Sequence, residues 1–138
     1  MAVVMSEMSM SLDGFVADPA DQVGPLFDRY TNGDVEVPTA DPERWAFRTS
    51  EASARYLRES MERIGALVAG WVGVAGPNVA QQCLEAGLLD EVRINLVPVL
   101  LGKGVRYFDS PSNAPVPLED PRIIQATGVT HLIYRVGK

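Results

Sequence analysis

The stretch ALVAGWVGVAG, residues 66–76, decides how the chain is read. It divides into two apolar strands, Ala66–Ala69 and Val72–Ala75, each closed by a glycine, Gly70 and Gly76. In an α/β protein a strand ends this way where a helix N-terminus or a phosphate follows. Only Trp71 separates the first glycine from the second strand. Parallel neighbours in one sheet need a crossover of a dozen or more residues. The stretch is therefore one long strand, an unusual bend, or a junction from which a segment has been lost.

Helical periodicity flanks this junction on both sides. Upstream, Ala54, Leu57, Met61 and Ile64 recur at spacings of three and four, with Arg55, Arg58, Glu59 and Glu62 on the other faces. Thr49 or Ser50 can cap that helix and Gly65 can stop it. Downstream, a second helix starts near Pro77-Asn78, where a missing N–H costs nothing, and runs to Gly87. A strand follows in EVRINLVPVLLG, with Val92, Ile94 and Leu96 alternating and Pro98 at its end. Residues 2–12 form a half-buried strand, with Val4, Met8, Met10 and Leu12 on one alternating set, closed by Asp13-Gly14. Residues 17–45 read as one long loop rich in Pro, Gly, Asp and Asn. RIIQATGVTHLIYRV is a terminal hairpin pivoting near Gly128. Strand, helix, strand, helix, strand, hairpin is the order of an α/β sandwich with a mixed sheet.

A chain of 138 residues, 46% hydrophobic and 22% charged, is expected to form a single domain over residues 1–138. Its net charge of −6 argues against nucleic acid or an anionic membrane as partner. One cysteine, Cys83, permits no internal disulfide, and no run has the length of a membrane span, so a cytoplasmic setting is expected.

Three turns can carry chemistry. VAGPNVAQQ, residues 74–82, opens a helix from a glycine and places unpaired N–H groups at one point, which suits a pyrophosphate. It is equally a plain strand-to-helix turn. In MSLDGFVA, residues 10–17, Asp13 sits at a strand end where small-molecule sites gather, or merely forms an Asp-Gly turn. In VPVLLGKG, residues 97–104, Lys103 can face a phosphate or simply be solvated. His131, the single histidine, has no cysteine or carboxylate at ligand spacing, so no metal site is expected and it reads as a strand residue. Cys83 reads as core packing, Ser6, Ser9 and Ser11 lie in no nucleophile elbow, and Asp90-Glu91 reads as a solvated turn.

MSMSLDGFVA, GALVAG, AGPNVAQQCLEAGLLDEVRINLVPVLLGKGVRYF and GVTHLIYRV together resemble the dihydrofolate-reductase-like family. They are most similar to its branch related to the C-terminal reductase domain of riboflavin biosynthesis. The resemblance implies a three-layer α/β sandwich whose mixed, mostly parallel sheet ends in an antiparallel hairpin. It implies NADPH-dependent hydride transfer to a small heterocycle, pterin-like or pyrimidine-like, in a homodimer. Cofactor contacts carried over from it fall on Leu12 and Gly14 beside the nicotinamide, and on Ala75, Gly76, Pro77, Asn78 and Val79 at the pyrophosphate. Gly70 marks the adenosine phosphates, and Asp13 is the candidate catalytic anchor.

The chain departs from that pattern at Trp71. Relatives pass from the glycine matching Gly70 through an arginine-bearing turn, helix, strand and loop before the strand matching Val72–Ala75. That segment is absent here, and with it the arginines that hold the extra phosphate of the cofactor. Ala75 stands where relatives carry the first glycine of a pair. Two other expectations follow from the same residues. One is a cofactor-free dimeric binding module whose sheet a second subunit completes. The other is a small-molecule binding protein with residues 17–45 as a lid.

Overall fold

The computed structural model describes residues 2–39, 41–65 and 70–137; the strand expected over Ala66–Ala69 lies outside them. In chain order come β1 (Val3–Ser11), β2 (Phe15–Ala17), a 3-10 helix (Gly24–Tyr30), β3 (Val35–Pro38) and β4 (Ala46–Thr49). Helix α1 (Glu51–Gly65), β5 (Trp71–Val74), α2 (Pro77–Glu85), β6 (Glu91–Val97), β7 (Val105–Arg106), β8 (Arg122–Ala126) and β9 (Val129–Arg135) follow. Five strands make the main sheet in the order β5-β1-β6-β9-β8. β1 runs parallel to both β5 and β6, while β9 is antiparallel to β6 and β8. The expected mixed sheet with its closing hairpin is present, and the hairpin turns at Gly128 with φ 74°.

The apparent lack of a crossover at the junction has a simple resolution. A helix precedes β5 and another follows it, so each parallel neighbour of β1 is reached through its own helix: α1 leads to β5 on one side and α2 to β6 on the other. Among the described residues of this stretch, Trp71–Val74 forms a strand, and it lies at the sheet edge. Gly70 immediately precedes that strand, with φ 81° and its carbonyl accepting from the Val3 N–H at 2.6 Å. Ala75 falls just beyond the strand.

Because side chains alternate along a strand, β1 and β6 serve two different layers. On one face Val4, Met8, Met10, Val92 and Ile94 pack with Ala80 and Leu84 of α2 and with Leu89. Cys83 joins this layer from α2, as expected. The opposite face carries Glu7 beside Arg93, Ser9 beside Asn95, and Asn95 beside His131, all under α1. β1 is thus covered on both sides rather than half-buried, and Leu12, beyond its end, is 64% exposed.

Residues 17–45 are not a structureless loop. Fully buried Leu26 anchors the 3-10 helix, and Val37 of β3 packs with Ala54 and Leu57 of α1. Helix α1 starts as read, with the Ser53 N–H donating to Ser50 Oγ at 3.4 Å.

Candidate cofactor and substrate site

β1 is where the order of the sheet reverses, and crevices at the carboxyl ends of such strands are where open α/β sheets bind ligands. Two chain segments are knitted together there. The Leu12 N–H donates to the Val99 carbonyl at 2.9 Å and the Tyr107 N–H to the Gly14 carbonyl at 3.2 Å. β2 pairs with β7, and Gly104 passes so close to Ala17 that a Cβ would stand 2.0 Å from the Ala17 carbonyl oxygen. Only glycine permits that approach.

Asp13 fastens the junction. Its Oδ1 accepts from Ser11 Oγ at 2.6 Å and from the Leu101 N–H at 3.1 Å, and its Oδ2 accepts from the Gly102 N–H at 2.7 Å. Ser11 Oγ in turn accepts from the Phe15 N–H at 3.0 Å. The Ser11 hydroxyl and the two loop N–H groups hold the Asp13 carboxyl down at about 2. It is an ionised acceptor, with no proton to give at neutral pH. Sequence reading placed Asp13 at a strand end; its partners, 88 and 89 residues away, had no local signal.

Beside this clamp a cavity of about 420 Å³ opens at the start of α2, lined by Pro77, Asn78, Gln81, Gly104, Arg106 and Tyr107 among others. Gly76 caps the helix with φ 88°, and open space lies where its Cβ would stand. The Arg106 guanidinium lies over the Phe15 ring, 4.8 Å from its centroid, with Nη1 3.9 Å from the Cβ position of Gly14. Arg106 therefore links two candidate groups, Leu12–Gly14 and Ala75–Val79. Sequence reading missed it and weighed Lys103 instead, which is exposed and lines none of the described cavities. Gly70 is not part of this cluster. It sits beside Val3, at the opposite end of β1, roughly 26 Å from Ser11 along an eight-residue rise.

A second cavity, about 330 Å³, lies on the other face of β1. Its walls are Phe27 of the 3-10 helix, Phe47 of β4, and Leu57 and Met61 of α1; Glu7, Ser9 and Asn95 supply polar atoms from the sheet. Glu7 Oε1 accepts from the Tyr56 hydroxyl at 2.9 Å and from Asn95 Nδ2 at 3.0 Å. Glu7 Oε2 receives one long contact, from Ser60 Oγ at 3.4 Å.

The network fixes a tautomer. Asn95 Nδ2 faces the carboxylate, so Asn95 Oδ1 accepts from the His131 Nδ1–H at 2.7 Å, and His131 Nε2 accepts from Ser53 Oγ at 2.9 Å. Burial, aided by the Arg29 charge, drives His131 down to about 3, so the ring is neutral. His131 is a satisfied interior residue, as read. Asp90-Glu91 is not a solvated turn: Asp90 Oδ2 accepts from the Val4 N–H at 2.8 Å, and Glu91 Oε1 pairs with Arg93 Nε at 2.5 Å inside the fold. Arg93 also donates to Ser60 Oγ at 2.6 Å, and Arg29 donates to Ser9 Oγ at 3.0 Å and to the Tyr30 hydroxyl. Two guanidinium groups thus balance two carboxylates beneath α1.

Residues 71–132 match the RibD C-terminal domain family. The RibD-like segment begins at β5 and runs into β9, so it contains α2, Arg106 and the loop that Asp13 clamps. No curated protein sequence matches the chain. Among solved structures, the chain resembles a protein described as a riboflavin biosynthesis protein from Shewanella sp. PV-4, at 19% identity and TM-score 0.57, with all of both chains covered. It resembles Acinetobacter baumannii RibD at 15% identity and TM-score 0.58, covering 100% of this chain and 59% of that one. It also resembles the riboflavin biosynthesis reductase Rib7 of Saccharomyces cerevisiae, at 15% identity and TM-score 0.54, covering 99% and 89%. The resemblance read from the sequence holds, and the fold is that of RibD-like, dihydrofolate-reductase-like proteins. Among the described residues no helix is long and apolar enough to cross a membrane.

Proposed function

We propose that the chain is an NADPH-dependent reductase of a small heterocyclic substrate, working at the carboxyl end of β1. The observation that carries this reading is the convergence of Arg106 and the start of α2 on one cavity, with Gly14 beside the Arg106 guanidinium. The α2 N–H groups and the guanidinium supply positive charge from two directions, which a pyrophosphate needs. Gly76, Pro77 and Asn78 would hold that group, with Ala75 and Val79 flanking it, and Arg106 would neutralise it. Leu12 and Gly14 would border the nicotinamide, while Asp13 keeps the bordering loop in place. NADPH, when bound, supplies the hydride; the protein supplies placement and electrostatics. Arg106 and the α2 N–H groups fit the pyrophosphate, with Asp109 the one carboxylate on the same cavity. Gly70 lies beside Val3 at the opposite end of β1, so it would take no part in holding the pyrophosphate.

The test is a fluorescence titration of NADPH against wild type and Arg106→Ala. Wild type should bind saturably, and the variant should bind roughly tenfold or more weakly, as loss of a charge-assisted bond predicts. Arg106 is exposed, so the melting temperature should stay unchanged. A wild type that shows no saturation, or a variant that binds equally, removes the reading. One observation favours the dimeric binding module instead: β5 is an edge strand of four residues whose Val72 is 42% exposed. A dimer in light scattering combined with no NADPH binding would select that alternative.

A further inference from the structure

The cavity at the start of α2 carries a charge that a cradle for a bare anion would lack. Asp109 lines it together with Arg106, Pro77 and Asn78. Among the described residues its carboxylate has no hydrogen-bond or ion-pair partner. The residue is nevertheless fixed in place. Gln81, in the second turn of α2, pairs twice with the Asp109 backbone: its Oε1 accepts from the Asp109 N–H at 2.8 Å, and its Nε2 donates to the Asp109 carbonyl at 3.0 Å. One turn later, Glu85 Oε1 accepts from the Ser112 N–H at 2.8 Å and from Gln81 Nε2 at 3.1 Å. The polar atoms of Gln81 and Glu85 are thus engaged in holding residues 109–112 against α2, and Asp109 is left as the free carboxylate. Arg106 is anchored separately. Its guanidinium lies over Phe15, and the neighbouring Tyr107 hydroxyl pairs with Ser6 Oγ at 2.7 Å inside the fold. Arg106 and Asp109 do not form an ion pair with each other, so one cavity presents a cation and an anion, each held by different anchors.

We infer that Asp109 is a specificity residue: the cavity takes a diphosphate joined to a ribose and discriminates against bare polyphosphate. A carboxylate only accepts hydrogen bonds, so beside a diphosphate held by Arg106 it needs a donor from the ligand. A ribose supplies O–H donors, and each makes a charge-assisted bond to Asp109. A bare diphosphate brings only oxygen atoms to the same place and is repelled, which is discrimination through an unfavourable contact. Dinucleotide sites of doubly wound sheets place a carboxylate against a ribose hydroxyl for the same reason. The inference rests on the reductase reading for the placement of the pyrophosphate, and adds to it which neighbour that pyrophosphate must have.

The test is isothermal titration of NADPH and of inorganic pyrophosphate, in metal-free buffer, into the full chain and its Asp109→Ala variant. The two ligands should respond with opposite signs. Pyrophosphate should bind the variant roughly threefold more tightly, because an exposed like charge has been removed. NADPH gains the same relief but loses a bond to a charged acceptor, which alone is about a tenfold effect or more. Its net change should therefore be a weakening of roughly threefold or more. Asp109 is exposed and its backbone pairs with Gln81 do not involve the side chain, so the melting temperature should stay unchanged. Tighter binding of both ligands by the variant, or unaltered NADPH binding, overturns the inference and leaves the reductase reading standing. A wild type that binds no NADPH removes both.

Discussion

Lowering the pH from 7 to 5 should destabilise the protein through one side chain, His131. The ring is fully buried, donates to Asn95 and accepts from Ser53, and titrates at about 3 instead of 6.5. Between those values the unfolded chain binds a proton that the folded chain does not, so stability falls as pH falls through this window. At pH 5 the folded ring is still neutral, and the loss is set almost wholly by the unfolded pKa. It amounts to about 2 kcal/mol relative to pH 7, and would reach about 4 kcal/mol near pH 3. For a chain of this size 2 kcal/mol lowers the melting temperature by roughly 6–10 °C. The assay is urea unfolding at pH 7, 6 and 5 on wild type and His131→Gln. The variant loses hydrogen bonds and is less stable throughout, but its curve should be flatter by the amount given. Because His131 is the only histidine, its ring resonance can be followed directly and should not titrate in the folded protein between pH 7 and 5. Parallel pH curves for the two proteins, or a ring that titrates near 6.5, would refute the reasoning.

Arg93→Met should cost about 3–5 kcal/mol, because it strands the Glu91 carboxylate inside the fold, and Arg93→Met with Glu91→Gln should cost markedly less than the sum of the single changes. A purely additive double-mutant cycle in denaturant melts would show that the pair is not coupled. Asp13→Asn should leave the sheet intact but loosen residues 99–104, since an amide presents a donor where Leu101 and Gly102 need acceptors. Faster hydrogen exchange at those two amides checks it, and unchanged exchange would mean the clamp is unnecessary.

What was legible in the sequence is what repeats locally. Ala54, Leu57 and Met61 announce α1, Val92, Ile94 and Leu96 announce β6, and Pro77 and Gly87 bracket α2. The other face of the same strands was not legible. Glu7, Arg93, Asn95 and His131 occupy alternating positions that ordinarily face water, and only α1, folded across them, makes them interior. Apart from the local Arg93–Glu91 pair, bonds such as Arg93–Ser60 and Asn95–Glu7 join residues 33 and 88 apart, beyond any periodic signal. The short strands β3 and β4 and the 3-10 helix were hidden by their turn-like composition. Arg106 went unnoticed because its value as a candidate depends on β7 laying it beside Gly14. Asp13, by contrast, was conspicuous at a strand end but is engaged with its own chain.

The position of Gly70 has an evolutionary meaning. The chain enters the sheet there at its outermost strand, away from the cluster around Asp13, Arg106 and Gly76 and from the strands β6, β9 and β8 that complete the sheet. Chain added or removed between Gly70 and Trp71 would leave the pairing of β1 with β6 and the packing of α2 unchanged. Loop-closure entropy grows only slowly with length, so such changes carry a small thermodynamic penalty. The junction is therefore a natural port for modular variation: a site where a lineage can gain or shed a subdomain, and where a reporter domain can be grafted.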